Sequence, residues 1–142
     1  MFDSKTTIHS SLITRHLSLQ NMARILIIDD DVNFLKMLRQ MLERAGHTVI
    51  DAANGKIGAK LFREDRTEVI ITDIFMPEKD GIELIRELKQ EFPAVRIISM
   101  SGGGRKSQFS YLEMAEALGA DRSFSKPFER QEILEAIQEL VE

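Results

Sequence analysis

The chain contains no cysteine, which excludes disulfides, thiolate metal sites and a cysteine nucleophile and is consistent with a reducing compartment. It also lacks any apolar run approaching the ~20 residues that a bilayer-spanning helix needs, so no membrane partner is expected. Positive charge is not in excess: 19 Lys and Arg face 23 Asp and Glu, for a net charge of −4. Without a broad basic field, nothing is present to attract nucleic acid or an anionic membrane. What remains is ordinary for a soluble globular protein, at 43% hydrophobic and 30% charged residues. A chain of 142 residues suits one domain with a single core, and a cytoplasmic location is expected.

Residues 1–22 stand apart. They are rich in Ser and Thr, hold His9 and His16, and show no sustained periodicity. Ile8, Leu12, His16 and Leu19 would line one face of a short helix, but the pattern is weak, and the segment is too poor in Arg for a transit peptide. We read 1–22 as an adventitious extension and 23–142 as the folded domain.

From Arg24 on, strand and helix signals alternate. Residues 25–28 form a continuous apolar run, as in a strand covered on both faces. Over 31–45, Phe34, Leu35, Leu38, Met41, Leu42 and Ala45 make a helical stripe that stops at Gly46, and Met37 and Met41 read as packing residues. A short strand at 48–52 precedes a helix opened by Asn54-Gly55 and carrying Ile57, Leu61 and Phe62. The third strand is 69–73. Pro77 and Asp80-Gly81 turn the chain into a helix with Ile82, Ile85 and Leu88, which stops before Pro93. The fourth strand, 95–100, runs into Ser101-Gly102-Gly103-Gly104, and a weakly amphipathic helix follows over about 106–118. The fifth strand is 122–125, and the last helix turns Ile133, Ile137, Leu140 and Val141 inward. Strand–helix alternation with right-handed crossovers predicts an α/β fold: a doubly wound five-stranded parallel sheet of flavodoxin-like order 2-1-3-4-5.

In that order strands one, three, four and five lie side by side. Each ends in a polar group: Asp29-Asp30-Asp31, Asp73, Ser101 and Lys126. That edge is where an open parallel sheet places its ligand site. Like carboxylates at ~4 Å repel by about 4 kcal/mol per pair at an effective dielectric near ~20. A cluster of Asp29, Asp30 and Asp73 therefore takes up protons or recruits a cation. Hard oxygen donors with open positions suit Mg2+, which lets Asp73 attack a phosphoryl group by neutralising charge on both partners. Lys126 adds positive charge for the phosphoryl oxygens, and the Ser101 hydroxyl adds a hydrogen bond.

Each feature also has a purely structural explanation. Asp30 or Asp31 can cap the next helix, Asp73 before Pro and Gly can form a turn, Ser-Gly-Gly-Gly can be a flexible loop, and Lys-Pro-Phe can end a strand. Their joint occurrence, in order, at the ends of four predicted strands favours function. Other residues stay outside it. His47 has no acidic or hydroxyl partner nearby in sequence, and Lys56, Lys60, Arg63 and Arg66 read as a solvated basic face. Tyr111, the only tyrosine, suits a partner surface.

The block Ile-Leu-Ile-Ile-Asp-Asp-Asp at 25–31, Asp73 with Met76-Pro77 and Asp80-Gly81, Ser101, and Lys126-Pro127-Phe128 resemble a response-regulator receiver domain of two-component signalling. The likeness is to the stand-alone, chemotaxis-regulator-like kind and covers about residue 23 to the C-terminus. It implies that Asp73 accepts a phosphoryl group from a histidine kinase or a phosphotransfer protein. It also implies that Asp30 and Asp73 ligate Mg2+, with Asp29 nearby or acting through water and the Phe75 backbone carbonyl as a further ligand. Ser101 would be the switch hydroxyl, Lys126 would pair with the acidic site and the phosphoryl group, and the peptide before Pro127 would be cis. Such a protein is a phosphoacceptor regulator rather than an enzyme, and signals to an output protein the sequence does not name. In this family positions 75 and 103 flank the path of the hydrolytic water. Phe75 and Gly103 cannot orient water, so slow loss of the phosphoryl group is expected. One residue departs from the pattern. The family often has an aromatic residue three positions before the Lys; here Ser123 stands there, and Phe124, next along the strand, faces the other side.

Nothing follows Glu142, so a receiver that binds another protein or relays phosphate is expected, the alternative being a receiver excised from a larger regulator. From another class, Asp29-Asp30-Asp31 also resembles the Asp-x-Asp opening of haloacid-dehalogenase-type phosphatases, with Asp29 as nucleophile and Asp31 as acid/base. That reading needs a further acidic pair at another strand end and leaves Asp73, Pro77 and Asp80-Gly81 unexplained. A flavin mononucleotide binder is disfavoured, because acidic residues after strand one would repel a phosphate.

Overall fold

Strands of five to seven residues build the sheet, the inner ones largely apolar, and helices connect them. The computed structural model describes residues 22–102 and 108–142. Its elements are β1 (Arg24–Ile28), α1 (Val32–Arg44), β2 (Thr48–Ala52), α2 (Gly55–Glu64), β3 (Val69–Asp73), α3 (Gly81–Glu91), β4 (Arg96–Gly102), α4 (Gln108–Ala117), β5 (Arg122–Lys126) and α5 (Arg130–Val141). All pairings are parallel, in the order β2-β1-β3-β4-β5. The flavodoxin-like order read from the sequence is the one observed.

Because side chains alternate along a strand, β1, β3 and β4 feed two cores. Leu26, Ile28, Ile70 and Ile97 pack with Phe62, Leu84, Ile85 and Leu88 of α2 and α3. Ile25, Ile27, Ile71 and Ile98 pack with Leu35, Leu38, Leu42, Ile133 and Ile137 of α1 and α5. Register then fixes the functional edge. Ile28 pairs with Thr72, Asp73 with Met100, and Gly102 with Lys126, so the strand ends lie level.

Helix starts are set by short side chains that accept orphan N–H groups, each worth about 1 kcal/mol. Asp31 accepts from the Phe34 N–H at 3.1 Å, Asn54 from Ile57 at 2.8 Å and Asp80 from Glu83 at 2.9 Å. Gly46, at φ 99°, ends the turn after α1 in a conformation other residues rarely adopt.

Several boundaries and roles differ from the sequence reading. β4 extends through Gly102 and β5 through Lys126, and α4 is assigned from Gln108. Residues 1–21 and 103–107, including Gly103 and Gly104, lie outside the described residues. Met37 is exposed rather than packed: it sits one residue before Leu38, about 100° round the helix from the buried stripe. All four residues of the basic run, Lys56, Lys60, Arg63 and Arg66, are exposed; Arg63 also ties α2 to Glu87 (3.1 Å) and Glu91 (2.7 Å) of α3, and the Arg66 guanidinium lies 4.2 Å above the Phe92 ring. His47 is buried, and its Nδ1 accepts the Ala23 N–H at 3.0 Å, a structural role that needs the neutral imidazole. Burial lowers its pKa accordingly.

Candidate functional site

Asp29 follows β1 directly and Asp73 closes β3; both are buried, at 1% and 6% exposure, while Asp30 faces solvent. One carboxylate oxygen from each of the three lies within 4.8 Å of the others. Lys126, at the end of β5, reaches into this group. Its Nζ donates to Asp29 Oδ2 at 2.6 Å and lies 3.3 Å from Asp73 Oδ1. The second contact is an ion pair without hydrogen-bond alignment, so Asp73 Oδ1 has no hydrogen-bond partner among the described residues. Asp29, by contrast, is fully engaged, because its Oδ1 also accepts the Asp31 N–H at 2.9 Å.

These surroundings set the ionisation of Asp73. Burial and then the Asp29 charge push its carboxyl up to about 6, with Lys126 opposing. The Ser101 hydroxyl is likewise buried without a hydrogen-bond partner among the described residues. Buried oxygens left unpaired cost about 1–3 kcal/mol each, so two at one sheet edge mark a place built for a further group.

The turn after β3 is held tightly. The Gly81 N–H donates to the Ile74 carbonyl at 2.8 Å, and a side chain at 81 would place Cβ 2.3 Å from the Asp73 carbonyl oxygen. Phe75, two residues past Asp73, is partly buried with its ring edge-to-face on Tyr111 of α4 at 4.8 Å. Tyr111 and Met114 are the exposed large apolar residues of that helix among the described side chains. The Lys126-Pro127 peptide is cis. Ser123, at the position where an aromatic is usual, hydrogen-bonds Ser99 at 2.7 Å, and Phe124 packs partly buried on the α1 and α5 side.

The structure thus gathers Asp29, Asp30, Asp73 and Lys126, and sets Ser101 and Phe75 on the adjoining strand end and turn. Sequence reasoning missed Phe34, whose ring faces the Lys126 ammonium at 4.0 Å. It appeared only as one residue of a helical stripe, and no local pattern links positions so far apart in the chain.

The fold and site define a doubly wound α/β domain with an acidic trio and a lysine gathered at the C-terminal edge of its sheet. Residues 25–138 match the response regulator receiver domain family, and the chain belongs to it. It is a receiver domain of two-component signalling. Among its relatives are the chemotaxis protein CheY of Bacillus subtilis and PilH of Pseudomonas aeruginosa. CheY is 36% identical over 115 residues, covering 80% of this chain and 93% of that protein. PilH is 34% identical over 118 residues, covering 82% and 95%. The crystal structure of a response regulator receiver domain protein from Clostridium thermocellum superposes with a TM-score of 0.79 at 30% identity, covering 84% and 94% of the two chains.

Proposed function

We propose that the protein is a phosphoacceptor regulator in which Asp73 takes a phosphoryl group from a histidine kinase or a phosphotransfer protein. The observation that carries this reading is Asp73 itself: buried, with one oxygen that has no hydrogen-bond partner among the described residues and a lysine ammonium 3.3 Å from it. Asp29 is the poorer nucleophile, since both its oxygens already accept hydrogen bonds.

The acidic trio fits Mg2+, because three hard oxygen donors converge and one, buried, has no hydrogen-bond partner among the described residues. Asp30 and Asp73 would hold the ion, with Asp29 and the Phe75 carbonyl completing the protein's share. When bound, Mg2+ neutralises charge on the nucleophile and on the phosphoryl oxygens. The chain's own residues do the rest. With its carboxyl at about 6, Asp73 is mostly ionised at neutral pH. Its oxygen attacks phosphorus as the bond from phosphorus to the donor nitrogen breaks, and that nitrogen keeps the electron pair. Lys126 balances charge on the phosphoryl oxygens, and Ser101 donates its idle hydroxyl to one of them.

The signal then passes through β4 to α4, which exposes Tyr111 and Met114, and to β5, giving an output protein a changed surface. We place this regulator in the cytoplasm, with 23–142 as the receiver unit and 1–22 as an extension. It works either alone or as the receiver of a larger regulator, and catalyses nothing beyond its own phosphorylation and slow dephosphorylation.

Incubation with Mg2+ and a small acyl phosphate donor tests the reading. Mass spectrometry should find one acid-stable, base-labile phosphoryl group on Asp73, lost in Asp73→Asn. Asp30→Asn should weaken Mg2+ binding, because one direct ligand loses its charge. Wild-type labelling in Asp73→Asn, or a label on Asp29, would overturn the assignment.

A further inference from the structure

Lys126 is caged on three sides. Its Nζ sits 2.6 Å from Asp29 Oδ2, 3.3 Å from Asp73 Oδ1 and 4.0 Å from the centroid of the Phe34 ring. The two carboxylates follow from the phosphoacceptor site, but the ring does not. Phe34 is itself held firmly. Its N–H donates to the Asp31 carboxylate at 3.1 Å, which pins it in the first turn of α1. Phe128 meets its ring edge-to-face at 5.9 Å and 90°, and packs in turn on Phe124 at 6.0 Å. The contacts close a circuit: Lys126 donates to Asp29, Asp29 accepts from Asp31, Asp31 accepts from Phe34, and Phe34 faces Lys126.

A lysine at a strand end has a flexible four-carbon stem and a strongly hydrated head, so it tends to swing towards water. Carboxylates on one side alone leave that swing open. An aromatic face on the other side attracts the cation electrostatically. It also presents no lone pair that would hold the ammonium back from an arriving phosphoryl group. We infer that Phe34 is a positioning residue for Lys126, its ring face holding the ammonium between Asp29 and Asp73, where phosphoryl charge must be met. This rests on the phosphoacceptor reading of Asp73.

The test compares initial phosphorylation rates, with Mg2+ and a small acyl phosphate donor, for wild type, Phe34→Leu and Phe34→Tyr, each with and without Lys126→Ala. Leu keeps apolar bulk but has no ring face, whereas Tyr keeps both. Loss of a partly desolvated cation–π contact should slow labelling of Phe34→Leu by about 3- to 30-fold, with Phe34→Tyr within about twofold of wild type. In the Lys126→Ala background Phe34→Leu should have no further effect. The chain has no tryptophan, so Phe34→Trp adds a single fluorophore whose emission should change when Lys126→Ala is introduced. Equal rates for the Leu and Tyr variants, or the same fractional loss with and without Lys126, would make Phe34 a packing residue only and overturn the inference. An unlabelled wild type would overturn the phosphoacceptor reading and this inference with it. A labelled wild type with an indifferent Phe34→Leu removes this inference alone.

Discussion

Asp73 is held at about 6 against an ordinary 3.8, chiefly by burial and then by the charge on Asp29. Ionising it therefore costs about 3 kcal/mol more in the folded chain than in the unfolded one. The folded value lies above the unfolded value, so the metal-free protein gains stability as pH falls through about 6, and the gain is complete only below 3.8. At pH 7.5 the whole penalty of about 3 kcal/mol applies, and at pH 5 roughly half of it remains. Asp73→Asn removes the ionisation while Lys126 keeps Asp29 at 2.6 Å, so no buried cation is orphaned. In chelator, urea denaturation at pH 7.5 should find Asp73→Asn more stable than wild type by about 1–3 kcal/mol, and at pH 5 the gap should shrink by about half. His47, whose pKa burial lowers, is present in both proteins, so its contribution cancels in the difference. Adding Mg2+ should stabilise wild type more than the variant and narrow the gap at pH 7.5. A variant no more stable than wild type at pH 7.5 without metal would refute the reasoning. So would a gap that does not change with pH, since its cause would not be ionisation.

Three further outcomes follow from the same geometry. Gly81→Ala would put a methyl 2.3 Å from the Asp73 carbonyl oxygen and 2.8 Å from Ile74 Cα. Backbone cannot yield there, so urea denaturation should show a loss of about 2 kcal/mol or more; a loss near zero would mean the turn is looser than described. Ser123→Ala strands the buried Ser99 hydroxyl at a cost of about 1–3 kcal/mol, and Ser99→Ala added to it should recover part of that loss; a double variant weaker than the single one would count against the hydroxyl pair. Once phosphorylated, wild type should lose its label slowly and Phe75→Asn several-fold faster, because an amide can orient water where a phenyl ring cannot; unchanged decay in a time course would show that this position does not control the water.

Much of this molecule was legible locally. Strand and helix periods are properties of neighbouring residues, so the ten elements and their order were readable within a few residues of their observed bounds. Once the order 2-1-3-4-5 is inferred, Asp29, Asp30, Asp73, Ser101 and Lys126 must share one edge, because each stands at the C-terminal end of a strand. The caps Asp31, Asn54 and Asp80 are likewise local, since each acts on an N–H three residues ahead.

What the sequence could not decide depends on distances between residues far apart in the chain. Adjacent in sequence, Asp29 is buried and Asp30 exposed, and only the packing around them separates the two. The pairing of Lys126 with Asp29 at 2.6 Å, the stacking of Phe34 beneath it and the reach of Arg63 to α3 come from sheet twist, register and rotamer, which no local pattern encodes. Gly81 read as a turn residue, but the reason it must be glycine is the Asp73 carbonyl lying against it. The raised pKa of Asp73 belongs to the same category. An aspartate ends many strands, and only burial beside a second carboxylate makes this one costly to ionise.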